Sequence, residues 1–131
     1  MTERPLRKIS RMLSPGVDLV DIDRFSRSIE SYGRRLLRRL FTDSELRTEP
    51  DPQLLAAGFA AKEALLKALG SGLSKGASWH DLRTLGPRGI LRRPRIMGRT
   101  GQLLGTGIPS VSCSCEAGTC LALAIIERKP E

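Results

Sequence analysis

Asp51-Pro-Gln-Leu-Leu-Ala-Ala-Gly-Phe-Ala-Ala-Lys-Glu-Ala-Leu-Leu-Lys-Ala-Leu-Gly70 carries the start and the stop of a helix in its own letters. Asp51 is a side-chain cap, Pro52 suits the first helical position, and Gly70 is a natural terminator. The spacing predicts a helix over residues 53–69. Its alanines permit close packing against other elements. A Lys62-Glu63 pair in that setting therefore asks for a chemical explanation.

Toward the N-terminus, Gly16-Val-Asp-Leu-Val-Asp-Ile22 alternates apolar and acidic residues and reads as a strand with Asp18 near its start. A helix is expected from about Asp23 to Leu40. At 100° per residue, Phe25, Ile29, Tyr32, Leu36 and Leu40 form one stripe, to be packed on the core. Arg24, Arg27, Arg34 and Arg38 form a second, outward cationic ridge. Thr42-Asp-Ser-Glu45 has the form of a capping box opening a short helical turn, and Glu49-Pro-Asp-Pro52 breaks the chain. Residues 1–13 form a basic tail without the apolar segment of a signal peptide, and 14–131 form a single domain.

Beyond Gly70 the chain loops to Ser78. Strands follow at Leu82–Leu85, Ile90–Met97, Ser110–Ser114 and Thr119–Glu127, and residues 99–107 are either a short Gly-rich helix or a loop. The last strand is almost wholly apolar after Gly118, which predicts a central place in its sheet.

The whole chain has 131 residues, 40% of them apolar and 27% charged, with 22 − 14 = +8 net charge and a pI near 10.3. No apolar run reaches the ~18 residues a membrane helix needs, and the apolar content is too high for a disordered chain. Basic charge alone would admit a nucleic-acid partner. Only 4% aromatic residues leaves few stacking platforms for one, and no recognised motif is present. Cys113 and Cys115 lie two apart on a strand, pointing the same way and poorly placed to bridge each other. With Cys120 they read as reduced intracellular thiols. Adding His80 gives no ordinary zinc spacing.

Asp18 and Glu63 stand out by their apolar company. Magnesium takes one or two protein carboxylates and completes its octahedron with phosphate oxygens and water. Two carboxylates from separate elements, beside Lys62 and Lys67, suit a metal–phosphate site. Glu63 and Lys67 are four apart and share a helical face. The competing reading is a surface Glu–Lys pair and an acid at a strand end.

Three stretches tip that balance: Gly16-Val-Asp18-Leu-Val-Asp-Ile-Asp-Arg24, Phe41-Thr-Asp-Ser-Glu-Leu46 and Phe59-Ala-Ala-Lys-Glu63-Ala-Leu-Leu-Lys67-Ala-Leu-Gly70. With Ser78-Trp-His-Asp-Leu82 and Ser110-Val-Ser-Cys-Ser-Cys-Glu-Ala-Gly118 they resemble the holo-acyl-carrier-protein synthases, the small 4′-phosphopantetheinyl transferases, in order across about residues 14–127. The resemblance implies an α+β fold, an antiparallel sheet packed with a long helix. It implies a cytoplasmic homotrimer with active sites between subunits and no nucleic-acid or membrane partner. It implies that Mg2+ is held by Asp18 and Glu63 on the pyrophosphate of coenzyme A. A carrier-protein serine attacks the β-phosphoryl group and 3′,5′-ADP leaves. Glu63, or a water on the metal, is then the candidate base, and Lys67 the group that stabilises phosphoryl oxygens. Lys62, Gly70, Ser112 and Cys115 would join Lys67 around coenzyme A. The acidic acyl carrier protein would dock on Arg24, Arg27 and Arg34.

Two departures from the family pattern matter. Gly58 stands where an Arg usually precedes the Phe, and Cys115 takes the place of a His in the last motif. They motivate the alternative of a catalytically weak or inactive homologue that still docks carrier proteins.

Overall fold

The computed structural model describes residues 11–70 and 76–130. In chain order it contains β1 (Met12–Asp21), α1 (Ile22–Leu40), α2 (Asp43–Leu46), α3 (Pro52–Leu69), a 3-10 turn (Trp79–Asp81), β2 (Leu82–Gly86), β3 (Gly89–Ile96), α4 (Gly98–Leu104), β4 (Ile108–Glu116) and β5 (Thr119–Arg128). β1, β5 and β4 form an antiparallel sheet with β5 in the centre, and β2 with β3 forms a hairpin beside it. This is the expected α+β arrangement, with α3 lying along the sheet.

Small residues set that packing. Ala56, Ala60, Ala61 and Ala64 of α3 are fully buried, as are Ala122 and Ala124 of β5. Gly16 of β1 allows the closest approach. A Cβ there would overlap the Ala64 carbonyl oxygen and stand 2.6 Å from the Ala68 nitrogen. Both ends of α3 are as read: the Asp51 carboxylate accepts from the Leu54 N–H at 2.8 Å, and Gly70 closes the helix at φ 80°. The Thr42–Glu45 capping box is also present.

Two expectations change and one open alternative is settled. The first strand begins at Met12, which pairs with Arg128, so residues 12–13 belong to the sheet rather than to a tail. The remainder of that tail (residues 1–10) and residues 71–75 of the loop after Gly70 lie outside the described residues. Helix α1 breaks at Gly33, whose φ of 64° and ψ of −152° end one helical run and start another. Tyr32, at the break, is 70% exposed instead of joining Phe25 and Leu40 in the core. Residues 98–104 resolve as helix α4, fixed where the Thr100 hydroxyl and N–H both donate to Asp81 Oδ2, at 2.8 and 3.2 Å. No helix among the described residues is long and apolar enough to cross a membrane.

Candidate active site

The strand period of two places Gly16, Asp18 and Val20 on the face of β1 that meets α3. The side chain of Asp18, 17% exposed, reaches the ammonium of Lys67, with Nζ 2.9 Å from Oδ1. Lys67 also donates to the Val17 carbonyl at 3.0 Å. One turn earlier on α3, Glu63 Oε1 accepts from the indole Nε1–H of Trp79 at 3.0 Å. Asp18 and Glu63 line one cleft of about 510 Å3 with Asp21, Arg24, Phe25 and Phe59. The second carboxylate oxygen of each acid has no hydrogen bond among the described residues. Two such oxygens on one cleft, beside Arg24 and Lys67, form a donor set of the kind a magnesium–phosphate group takes. So β1 and α3 bring Asp18, Glu63 and Lys67 together.

Lys62 is elsewhere. Its side chain is fully buried, and its ammonium donates to Glu45 Oε1 at 2.6 Å, the Leu40 carbonyl at 2.8 Å and the Trp79 carbonyl at 3.0 Å. An ammonium has three N–H donors, so none remains for a phosphate. Desolvation lowers its pKa, and the Glu45 carboxylate counters that. Lys62 is a structural cation, and its expected phosphate contact is withdrawn. Glu45 does more than cap α2. Its Oε2 accepts from the N–H groups of Thr84 and Leu85 at 2.9 and 3.1 Å, tying α2 to β2.

The last strand pair also differs from expectation. Cys115 faces Cys120 across the β4–β5 hairpin, with Cα atoms 4.0 Å apart, and the two form a disulfide. Cys115 is thus no free thiol in a vacated histidine place. The turn at Ala117 and Gly118, both with positive φ, sets this register, and Cys-Glu-Ala-Gly-Thr-Cys is its signal in the sequence. Cys113 stays free, and burial pushes its thiol up to about 11. Ser112 points to the opposite face of the sheet, where it borders a second cleft of about 560 Å3 with Arg92, Arg93 and Ser110. Within one chain it does not meet Asp18 and Glu63.

Gly70 sits at the end of α3, one turn from Lys67. Gly58 leaves no empty arginine place, because a Cβ there would come within 2.8 Å of the Leu85 side chain. Arg24, Arg27, Arg34 and Arg38 are all exposed, but the break at Gly33 divides them. Arg24 borders the cleft of Asp18, whereas Arg34 and Arg38 border a hollow of about 420 Å3 with Asp43 and Glu49.

Strand, helix and cleft together define an α+β protein with two carboxylates on one cleft, and comparison with known proteins gives that class its family. Residues 14–106 match the family model of the 4′-phosphopantetheinyl transferase superfamily, and the chain belongs to that family. It is similar to the holo-[acyl-carrier-protein] synthase of Chlamydia trachomatis, 36% identical over 121 residues that cover 86% of this chain and 99% of the relative. The synthase of Geobacter sulfurreducens is 38% identical over 122 residues, covering 86% and 95%. Among solved structures, the Helicobacter pylori synthase in complex with coenzyme A has a TM-score of 0.73 at 26% identity, covering 86% of this chain and 98% of that one. The Neisseria meningitidis synthase has a TM-score of 0.72 at 28% identity, covering 88% and 98%.

Proposed function

We propose that this chain is a cytoplasmic holo-acyl-carrier-protein synthase that moves 4′-phosphopantetheine from coenzyme A to a serine of an acidic acyl carrier protein. The observation that carries the reading is the convergence of Asp18 and Glu63 on one cleft, with Lys67 paired to Asp18. Asp18 and Glu63 would hold a magnesium ion through their free oxygens, and that ion supplies charge neutralisation on the phosphates. Lys67, already turned toward Asp18, is placed to meet the phosphoryl oxygens. Glu63, or a water beside the metal, is the candidate base for the serine proton. As the serine Oγ bonds to the β-phosphorus, the bond to 3′,5′-ADP breaks and the proton passes to that base. Exposed Arg24 and Arg27 offer an acidic carrier protein a complementary surface beside the cleft, which chiefly raises the on-rate.

The outer face of the main sheet supports a homotrimer with sites between subunits. Leu13, Val17, Leu19, Leu121 and Leu123 are 38–65% exposed there, an apolar face of the kind that marks an association surface. The cleft of Ser112, Arg92 and Arg93 opens on the same face. Assembly would set those side chains against a neighbouring subunit, which accommodates Ser112 as a coenzyme A contact made across the interface. Gly58 and Cys115 keep the inactive carrier-docking homologue as the second reading. Retention of both carboxylates on one cleft favours the enzyme.

A thermal-shift titration tests the site. Magnesium with coenzyme A should raise the melting temperature of the protein, because a ligand that binds only the native state stabilises it. The rise should vanish in Asp18→Ala, and an equal rise in that variant would remove the metal–phosphate assignment.

A further inference from the structure

A glutamate on an open cleft has rotamers to spare, so something must hold Glu63 if it is to serve in one geometry. The indole Nε1–H of Trp79 does so, donating to Oε1 at 3.0 Å and leaving Oε2 for the cleft. The donor is itself fixed from several sides. The Trp79 carbonyl accepts from the buried Lys62 ammonium at 3.0 Å. His80 Nε2 lies 2.6 Å from the Arg38 carbonyl. Asp81 is tied to Thr100 of α4 at 2.8 Å. The indole ring lies 6.1 Å from the Phe59 ring and has the Arg39 guanidinium 5.9 Å from its centroid. A 3-10 turn of only Trp79, His80 and Asp81 is thus anchored to α1, α3 and α4.

We infer that Trp79 is a positioning residue: its indole N–H orients the Glu63 carboxylate, and Lys62 holds Trp79 in place through the Trp79 carbonyl. The path runs from the buried Glu45–Lys62 pair to Trp79 and then to Glu63. It gives the Lys62-Glu63 pair one purpose, the lysine working from inside the fold and the glutamate at the cleft. A hydrogen bond to an ionised acceptor is among the stronger ones, and a preorganised donor lets a catalytic group work without reorganising. The inference rests on the proposed role of Glu63, but its first test does not.

The chain has one tryptophan, so the labelled full-length protein shows a single indole N–H peak in a 1H–15N spectrum. Glu63→Ala should move that peak upfield and speed its exchange with solvent. A peak unchanged by Glu63→Ala would overturn the inference, whatever the enzyme does. Trp79→Phe then removes the N–H and keeps an aromatic ring. It should raise the magnesium concentration for half-maximal rate about tenfold, equivalent to ~1.4 kcal/mol, with the KM for coenzyme A within about twofold of wild type. Loss of thermal stability with unaltered magnesium dependence would show Trp79 to be structural only and overturn the inference. A wild-type protein that modifies no carrier would instead count against the proposed function, and the indole peak would still decide whether Trp79 holds Glu63.

Discussion

Lys62 and Glu63 are adjacent in sequence, about 100° apart on α3, and that angle gives them different physics. The Lys62 ammonium has left water entirely and is compensated by Glu45 and two carbonyls. Breaking a buried ion pair from one side strands the other charge at a cost of about 3–5 kcal/mol. Lys62→Met should therefore lower unfolding free energy by about that amount in urea titrations, and a loss below about 1 kcal/mol would contradict the buried-pair account. Cys113 makes a second prediction at this scale. Its thiol is raised from 9.0 to about 11 in the fold, so folded protein binds more protons than unfolded between those values and loses stability as pH rises through them. At pH 9 native Cys113 should be alkylated roughly fifty-fold more slowly than in guanidinium, since the thiolate is the nucleophile. Similar rates in both states would place the thiol in water.

At the scale of elements, the β1–α3 contact is the joint of the fold, because it also brings Asp18 to Glu63 and Lys67. It is made backbone to backbone at Gly16, where a side chain would enter the Ala64 carbonyl. Neither partner there is a flexible side chain that could move aside. Gly16→Ala should cost about 3 kcal/mol or more, the upper end of overpacking, and should impair the cleft with it. An unfolding midpoint within error of wild type would show that the two elements separate easily. Elements with local signals were legible from sequence: the Asp51 cap, the Gly70 stop and the Thr42–Glu45 box are settled within four residues or by one dihedral. The break in α1 was not. Its one local signal is Gly33 itself, a glycine inside a helical pattern, and the φ and ψ it adopts are open to glycine alone; the apolar stripe runs on past it and masks the break. The Cys115–Cys120 pairing had its signal in the two-residue Ala117-Gly118 turn, which shows only when β4 and β5 are read together as one hairpin.

For the whole molecule, the apolar outer face of the sheet is the feature one chain leaves unexplained. Leu19 is 65% and Leu121 44% exposed, and the two are direct cross-strand partners. If this face forms the proposed trimer, glutamates at both positions should convert it to monomers in light scattering and reduce transfer, with the fold retained. A variant that stays trimeric would move the interface off this face. Asp18 and Glu63 were legible as charges in apolar company, and the resemblance of the stretches around them, not their spacing, is what read them with Lys67 as a site. Their meeting was not, since it depends on how β1 crosses α3. The burial of Lys62 and the part played by Trp79 belong to the same long-range class, set by contacts 17 and 16 residues apart in the chain. Asp18 and Glu63 are proposed to act together in phosphopantetheine transfer. Mass spectrometry of apo acyl carrier protein incubated with the protein, magnesium and coenzyme A measures this directly. One added phosphopantetheinyl group is expected on the carrier with wild type and almost none with Asp18→Ala or Glu63→Ala, both variants remaining folded. Transfer at the wild-type rate by either folded variant would contradict it.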